Sequence, residues 1–240
     1  MEFFDVFKSK PEPICPSCNQ PIEVLSKRSG TCIHCKQKYY MRKDYETNTY
    51  VFVNTKGLRE LKFKNLYFEW FNIYSHTFNK TGFEIVKEGL IRKRDEWFSK
   101  TGHITYGDFL WSLLNGQIFT YTKTQDWSNM SAAYQRLAII LHEVGKDNYG
   151  VLKEFHKWAL KSFQAKEKSI KKEGYNVRTS VSIMYPYKDK SSLCENCQKV
   201  AGKEMLLDEA IELNLLPVKD CTCKAGYCNC VYFGIEETIE

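Results

Sequence analysis

Residues 130–164 read MSAAYQRLAIILHEVGKDNYGVLKEFHKWALKSFQ, and their periodicity decides the fold class. Met130, Ala133, Tyr134, Leu137, Ile140, Leu141 and Val144 recur at three- and four-residue steps, the spacing that lines one face of an α-helix. After a short break, Val151, Leu152, Phe155, Trp158, Ala159 and Phe163 form a second such stripe that runs into a lysine-rich tail. Two amphipathic helices joined this closely are expected to pack against each other as an antiparallel pair.

The same period continues upstream. Phe63, Tyr67, Trp70, Phe71, Tyr74 and Phe78 fall on one helical face. In TGFE, Thr81 and Glu84 have the spacing of a capping box, which predicts the opening of a helix carrying Val86, Leu90, Ile91, Trp97 and Phe98. TGHITYGD breaks the chain, and DFLWSLLNGQIF then reads as apolar almost all round, the pattern of a central buried helix. Residues 58–170 therefore predict roughly five helices joined by short loops, an array or bundle. The helix–turn–helix rhythm looks somewhat like tetratricopeptide-type hairpins, without a motif of fixed period.

The chain has 240 residues, 43% hydrophobic and 15% aromatic, which places it among globular rather than disordered proteins. Lys plus Arg number 35 against 29 Asp plus Glu, a net charge of +6 that is compatible with a nucleic-acid partner and also with an ordinary soluble protein. No apolar run approaches the roughly 18 residues of a membrane-spanning helix. The start, MEFFDVFKSKPEPICPSC, lacks the basic and then apolar segments of a secretory signal. The expected location is cytoplasmic, a reducing compartment in which ten cysteines favour metal ligation over disulfides.

The cysteines gather at the two ends of the chain, with 158 residues free of them between Cys35 and Cys194. Near the start, Cys15 and Cys18 form one C-x-x-C pair, and Cys32 and Cys35 form another after 13 intervening residues. Two such pairs can complete a tetrahedral four-thiolate zinc site, and KYYM and TYVFV supply β-rich segments to frame it. This stretch of about 40 residues resembles the zinc-ribbon family. That resemblance implies a structural metal, whose binding energy folds a segment too small for its own core. His34 lies inside the second pair, where four thiolates already fill the metal's shell.

From residue 177 the period changes to two: Val177, Thr179, Val181, Ile183 and Tyr185 alternate with other residues as in a half-buried strand. CENC, the short helix LLDEAIEL, a turn at Leu216 and Pro217, the run CTCKAGYCNC and a small strand follow. Six cysteines here can fill one four-thiolate site with two to spare, or a two-metal cluster with bridging thiolates. The expected ligands are Cys194, Cys197 and Cys221 with one or both of Cys228 and Cys230, leaving Cys223 spare. Zinc is favoured over iron–sulfur, because the clustered spacings of ferredoxins are missing.

In its order of parts this module resembles the C-terminal module of phage head-morphogenesis (minor capsid) proteins. The matching residues are Cys194, Cys197, Gly202, Lys203, residues 207–210, Leu216, Pro217, Cys228 and Cys230. The family usually carries a histidine–proline pair before its last cysteines, and here Cys221 stands at roughly that place. The resemblance covers about 40 residues and implies a shared metal-stapled module rather than a shared task.

Catalytic motifs are missing from the sequence. His142 and Glu143 in LHEVGKD have no second histidine at zinc-protease spacing, VAGKEM lacks the upstream glycine of a phosphate loop, and no H-x-E precedes ICPSC as in a deaminase. His76 and His142, on predicted helices beside apolar residues, read as hydrogen-bonded core or boundary histidines. His103 sits in a loop near Asp108, the one pairing with the residue types of a general base and its orienter. Basic residues offer more. Lys153, Lys157 and Lys161 step by four along one helix opposite its apolar stripe, and Arg92, Lys93 and Arg94 form a second cluster. Either could track a phosphate backbone, and either could be a solvated helix face.

The sequence thus predicts a mainly α protein: a zinc ribbon over 1–55, a helical body over 56–175 and a small α+β zinc module over 176–240. Two or more zinc ions are expected. The expected role is that of an intracellular, non-enzymatic zinc-binding adaptor, or a nucleic-acid- or protein-binding protein. Alternatives are a nucleic-acid-processing enzyme or effector in phage–host conflict, and a phage or prophage structural protein.

Overall fold

A computed structural model describes residues 13–22, 28–74, 80–186 and 189–239, with residues 70–74 and 80–83 described by their backbone. Phe78 and His76 lie outside the described residues. The fold is mainly α, with small antiparallel sheets towards either end, and it divides into two compact units, Met1–Leu110 and Trp111–Glu240. Among the described residues, no helix is long and apolar enough to cross a membrane.

In the first unit, β1 (Ser29–Thr31), β2 (Lys38–Asp44) and β3 (Thr49–Val53) form an antiparallel sheet in that order. The β2–β3 hairpin is closed by a turn over residues 45–48 that includes Asn48 at φ 58°, a left-handed conformation asparagine tolerates. Helix α1 (Thr55–Tyr74) starts at once, because the Asn54 side chain accepts the Gly57 N–H at 2.8 Å and so caps it. Phe63 and Tyr67 of α1 are buried, as the sequence period requires, and so is Phe68, which the predicted stripe does not include. Tyr67 packs edge-on against Phe109 and donates its hydroxyl to the Leu90 carbonyl of α2 (Lys80–Thr101) at 2.9 Å. Because α2 already includes Lys80, Thr81 lies within the helix, and the predicted capping box at Thr81 and Glu84 does not open it.

Helix α3 (Tyr106–Thr124) is introduced by a different cap: Asp108 N–H donates to Thr105 Oγ1 at 3.3 Å. Its expected all-round burial is not met. Leu110 and Leu114 are buried, whereas Trp111 is 44% and Phe119 63% exposed, so the helix is one-sided.

In the second unit, α4 (Trp127–Glu143) is capped by Asp126, whose side chain accepts the Asn129 N–H, and it buries Met130, Ala133, Leu137, Ala138 and Ile140. Helix α5 (Tyr149–Lys172) packs on it, and Asn148 ties the pair by donating to the Ala138 carbonyl at 3.1 Å. The buried residues of α5 are Leu152, His156 and Leu160, a line at four-residue steps that shares Leu152 with the predicted stripe, whose Phe155, Trp158, Ala159 and Phe163 are half-buried.

The chain then enters β4 (Val177–Met184), the central strand of the sheet β5–β4–β6, in which β5 is Glu204–Leu206 and β6 is Val231–Thr238. Helix α6 (Glu195–Gln198) carries Cys197, and α7 (Leu207–Leu213) ends at Asn214 in the left-handed conformation. Leu160 and Phe163 of α5 join Val181, Ile183, Leu207, Ala210 and the cysteines in one apolar cluster. The cysteine-rich segment therefore shares its core with α5.

Candidate metal centres

The N-terminal centre is built from two loops of identical design. In the first, Asn19 N–H donates to the Cys15 carbonyl and Cys15 N–H to the Gln20 carbonyl; in the second, Lys36 N–H donates to Cys32 O and Cys32 N–H to Gln37 O, all at 2.8–2.9 Å. The residue after each second cysteine, Asn19 at φ 57° and Lys36 at φ 59°, is left-handed, which turns the loop back so that both of its thiols face one point. The sulfurs of Cys15, Cys18, Cys32 and Cys35 lie within 4.8 Å of one another.

Cys15 and Cys35 are 3.7 Å apart, as are Cys18 and Cys32. A tetrahedron of sulfurs around zinc at about 2.3 Å has edges of about 3.8 Å, so the donor set fits a metal. These separations are far too long for disulfides, and all the cysteines are free thiols. Cys15 and Cys32 are completely buried while His34 is exposed, which leaves the histidine a bystander. Hydrogen bonds from the Cys35 and His34 backbones hold the Cys32 thiol down at about 6, against the opposing effect of burial.

The C-terminal centre draws on more of the chain. Cys194 caps α6, Cys197 lies on it, and Cys221 and Cys223 return beside them after α7 and the turn at Leu216 and Pro217. These four sulfurs again lie within 4.8 Å of one another, with Cys194–Cys221 at 3.9 Å and Cys197–Cys221 at 3.5 Å. The expectation that Cys223 is the spare is corrected: it is buried within the four-thiol group and its sulfur also accepts the Cys194 N–H at 3.3 Å. Cys228 and Cys230 instead form a second, three-thiol group with Cys197. The alternation C-T-C could not distinguish these arrangements, since only the closure of the loop decides which pair reaches α6.

Burial opposes charge on Cys194, but bonds from the Cys197 and Thr222 backbones outweigh it and bring that thiol to about 6. The Cys230 thiol's hydrogen bond, against burial, brings Cys228 to about 6 as well. Burial and the neighbouring sulfur charge push Cys197 up. Closely packed thiols divide in this way because one anion penalises the next, and a cation relieves that penalty.

The other candidate residues separate clearly. Arg94 is only 14% exposed and bonds Glu46 (2.7 Å), Asp95 (2.7 Å) and Tyr106 (2.9 Å), so its guanidinium is engaged inside the first unit. Arg92 is exposed and lies 3.9 Å from Glu96, and Lys93 is exposed. Lys153, Lys157 and Lys161 all stand on the exposed side of α5. Lys157 lies 3.2 Å from Glu154 and 4.8 Å from the Trp158 ring centre. Lys161 lies 4.0 Å from the ring centre of Trp127, which is itself stacked on Trp158. His103 is 3.8 Å from Asp108, but both are more than half exposed, which gives the pair no enclosed site in which to act.

Two features escaped the sequence reading. His156 is fully buried with neither ring nitrogen hydrogen-bonded. A cavity of about 380 Å³ borders Cys221 and Cys228, with Asp147, Tyr149, Lys219 and Tyr227 on its other sides. Comparison of the chain with protein-family models, with curated proteins and with solved structures found no match.

Proposed function

We propose that the protein is a zinc-stapled, non-enzymatic binding protein of a reducing compartment whose α5 face engages nucleic acid. The observation that carries this reading is the arrangement of the basic stripe on aromatic planes. Trp127 and Trp158 stack at 5.1 Å with their planes 12° apart, and the Trp158 indole is held by its N–H bond to Glu154 at 2.9 Å. Lys161 sits over both rings, and Lys157 over one. Lys153, Lys157 and Lys161 then present three cations at intervals of about 6 Å along the helix. Cations fixed near aromatic faces suit a phosphate backbone whose bases can stack close by.

The metal centres enter this reading as staples. A four-thiolate zinc site has no open position for substrate, and its energy goes into folding. The test is binding of a fluorescent single-stranded oligonucleotide across a salt series. Replacing Lys153, Lys157 and Lys161 with glutamate should abolish binding at unchanged helicity. Neutralising each one singly should lower the salt slope by about 0.7. Affinity that survives the triple replacement would return the stripe to a solvated face and refute the reading.

A further inference from the structure

We propose that the C-terminal module holds two metal ions in one thiolate cluster, bridged by Cys197. The inference stands on the sulfur positions and does not depend on the nucleic-acid reading. Two groups of mutually close sulfurs are present: Cys194, Cys197, Cys221 and Cys223, and then Cys197, Cys228 and Cys230. They intersect at one residue. Cys197 Sγ is 3.5 Å from Cys221 in the first group and 4.0 Å from Cys228 in the second, both close to the tetrahedral edge of about 3.8 Å.

One ion cannot serve all six. A four-coordinate zinc is saturated by the first group, which leaves Cys228 and Cys230 outside its shell but against one of its corners. A thiolate has further lone pairs with which to bind a second soft or borderline cation, and Cys197 is the sulfur placed to do so. It is completely buried, and Cys228 and Cys230 are 4% and 1% exposed, so the three donors lie almost entirely within the protein.

The second ion would have three protein ligands. Among the described residues, no histidine, carboxylate or further cysteine joins that trio. Its fourth position therefore falls to a small exogenous donor, water in the simplest case, and the cavity of about 380 Å³ that Cys228 borders supplies the route. The three sites thus differ in kind: the N-terminal and first C-terminal sites are closed, and the second C-terminal site is open to exchange.

The experiment is elemental analysis of the purified full-length chain, followed by cadmium-113 NMR of the cadmium-exchanged protein. Three metal ions per chain are expected, giving one isolated resonance from the N-terminal site and two that split each other through the shared sulfur. Cys230→Ser should lower the count to two and remove the splitting. Cys15→Ser should lower it to two and keep the splitting. Two ions in the wild type, or three with no mutual splitting, would overturn the proposal; both readings come from the wild type and survive any failure of a variant to fold.

Discussion

Glu46 lies in the β2–β3 turn of the first unit, where its carboxylate meets Lys64 of α1 at 2.6 Å and Arg94 of α2 at 2.7 Å. Lys64 also bonds Asp44 at 2.8 Å. The side chains of Glu46, Lys64 and Arg94 are 14–18% exposed, so this network ties the sheet to both helices from a largely dry position. Glu46→Gln keeps the shape and removes the charge. Breaking a buried pair costs about 3–5 kcal/mol, and an exposed pair contributes about 0–1 kcal/mol. Here Lys64 keeps Asp44, and Arg94 keeps Asp95 and Tyr106, so the loss should fall between, at about 2 kcal/mol, or roughly thirty-fold in the opening equilibrium.

The pH dependence follows from the same contacts. Burial alone would raise the Glu46 carboxyl, but the bonds from Lys64 and Arg94 outweigh it and hold it below its ordinary value of 4.5. A depressed carboxyl stabilises the fold fully above that ordinary value and loses its contribution as pH falls through the folded one. The gap between wild type and Glu46→Gln should therefore be constant from neutral pH down to about 4.5 and close below it. Acid release of a metal held by the thiolates would affect both proteins alike and cancel in the difference. Hydrogen exchange at the β2 amides reads the opening directly, with β4 amides of the second unit as a control. Equal exchange at pH 7, or a gap that persists in acid, would refute the argument.

Two further outcomes are expected in the second unit. Burial holds His156 at about 3, so below the ordinary histidine value of 6.5 the unfolded chain takes up a proton that the fold refuses. Wild-type stability should drop by about 2 kcal/mol between pH 7 and 5, and His156→Leu should flatten that slope in urea titrations; an unchanged slope would refute the assignment. Gly226 stands at φ +82°, and a Cβ there would lie 2.6 Å from His142 Cε1. Gly226→Ala should therefore strain the loop carrying Cys223 and Cys228 by about 1–3 kcal/mol and let a chelator extract the C-terminal metal at lower concentration; unaltered extraction would contradict this.

What the sequence made legible was local. The knuckles at Cys15 and Cys32 are complete within six residues each, so their spacing alone specifies where the thiols point. The alternation from Val177 likewise gave β4 almost to the residue. The ion network was illegible because Glu46 and Arg94 are 48 residues apart, and charges on helix faces look alike whether they end in water or in a partner. His156 was illegible for the opposite reason: a polar residue does not count towards an apolar face, so of the buried line through Leu152, His156 and Leu160 the periodicity picks out only Leu152. Cys223 went astray because the return of the chain to Cys194 spans 29 residues, through α6, β5, α7 and a turn whose geometry no spacing rule contains.

Helix α5 connects these levels. One of its faces carries Leu160 and Phe163 into the cluster that includes the C-terminal cysteines. Strand β6 comes so close to it that a Cβ at Gly234 would lie 2.9 Å from the Phe163 ring, and Lys166 reaches across to Glu236 at 2.8 Å. On β4, the Thr179 N–H donates to Glu167 of the same helix at 3.1 Å. The cysteines share one cluster with Val181, Ile183, Leu207, Ala210 and Leu216 of their own module, so a metal held by them would also fix the strands on which α5 lies. The opposite face of α5 carries Lys153, Lys157 and Lys161. A helix bearing exposed charge on one side holds its register only through what it buries on the other. In this chain part of that burial is against the cluster that contains the C-terminal cysteines, so a metal bound there would serve as the mount of the basic face.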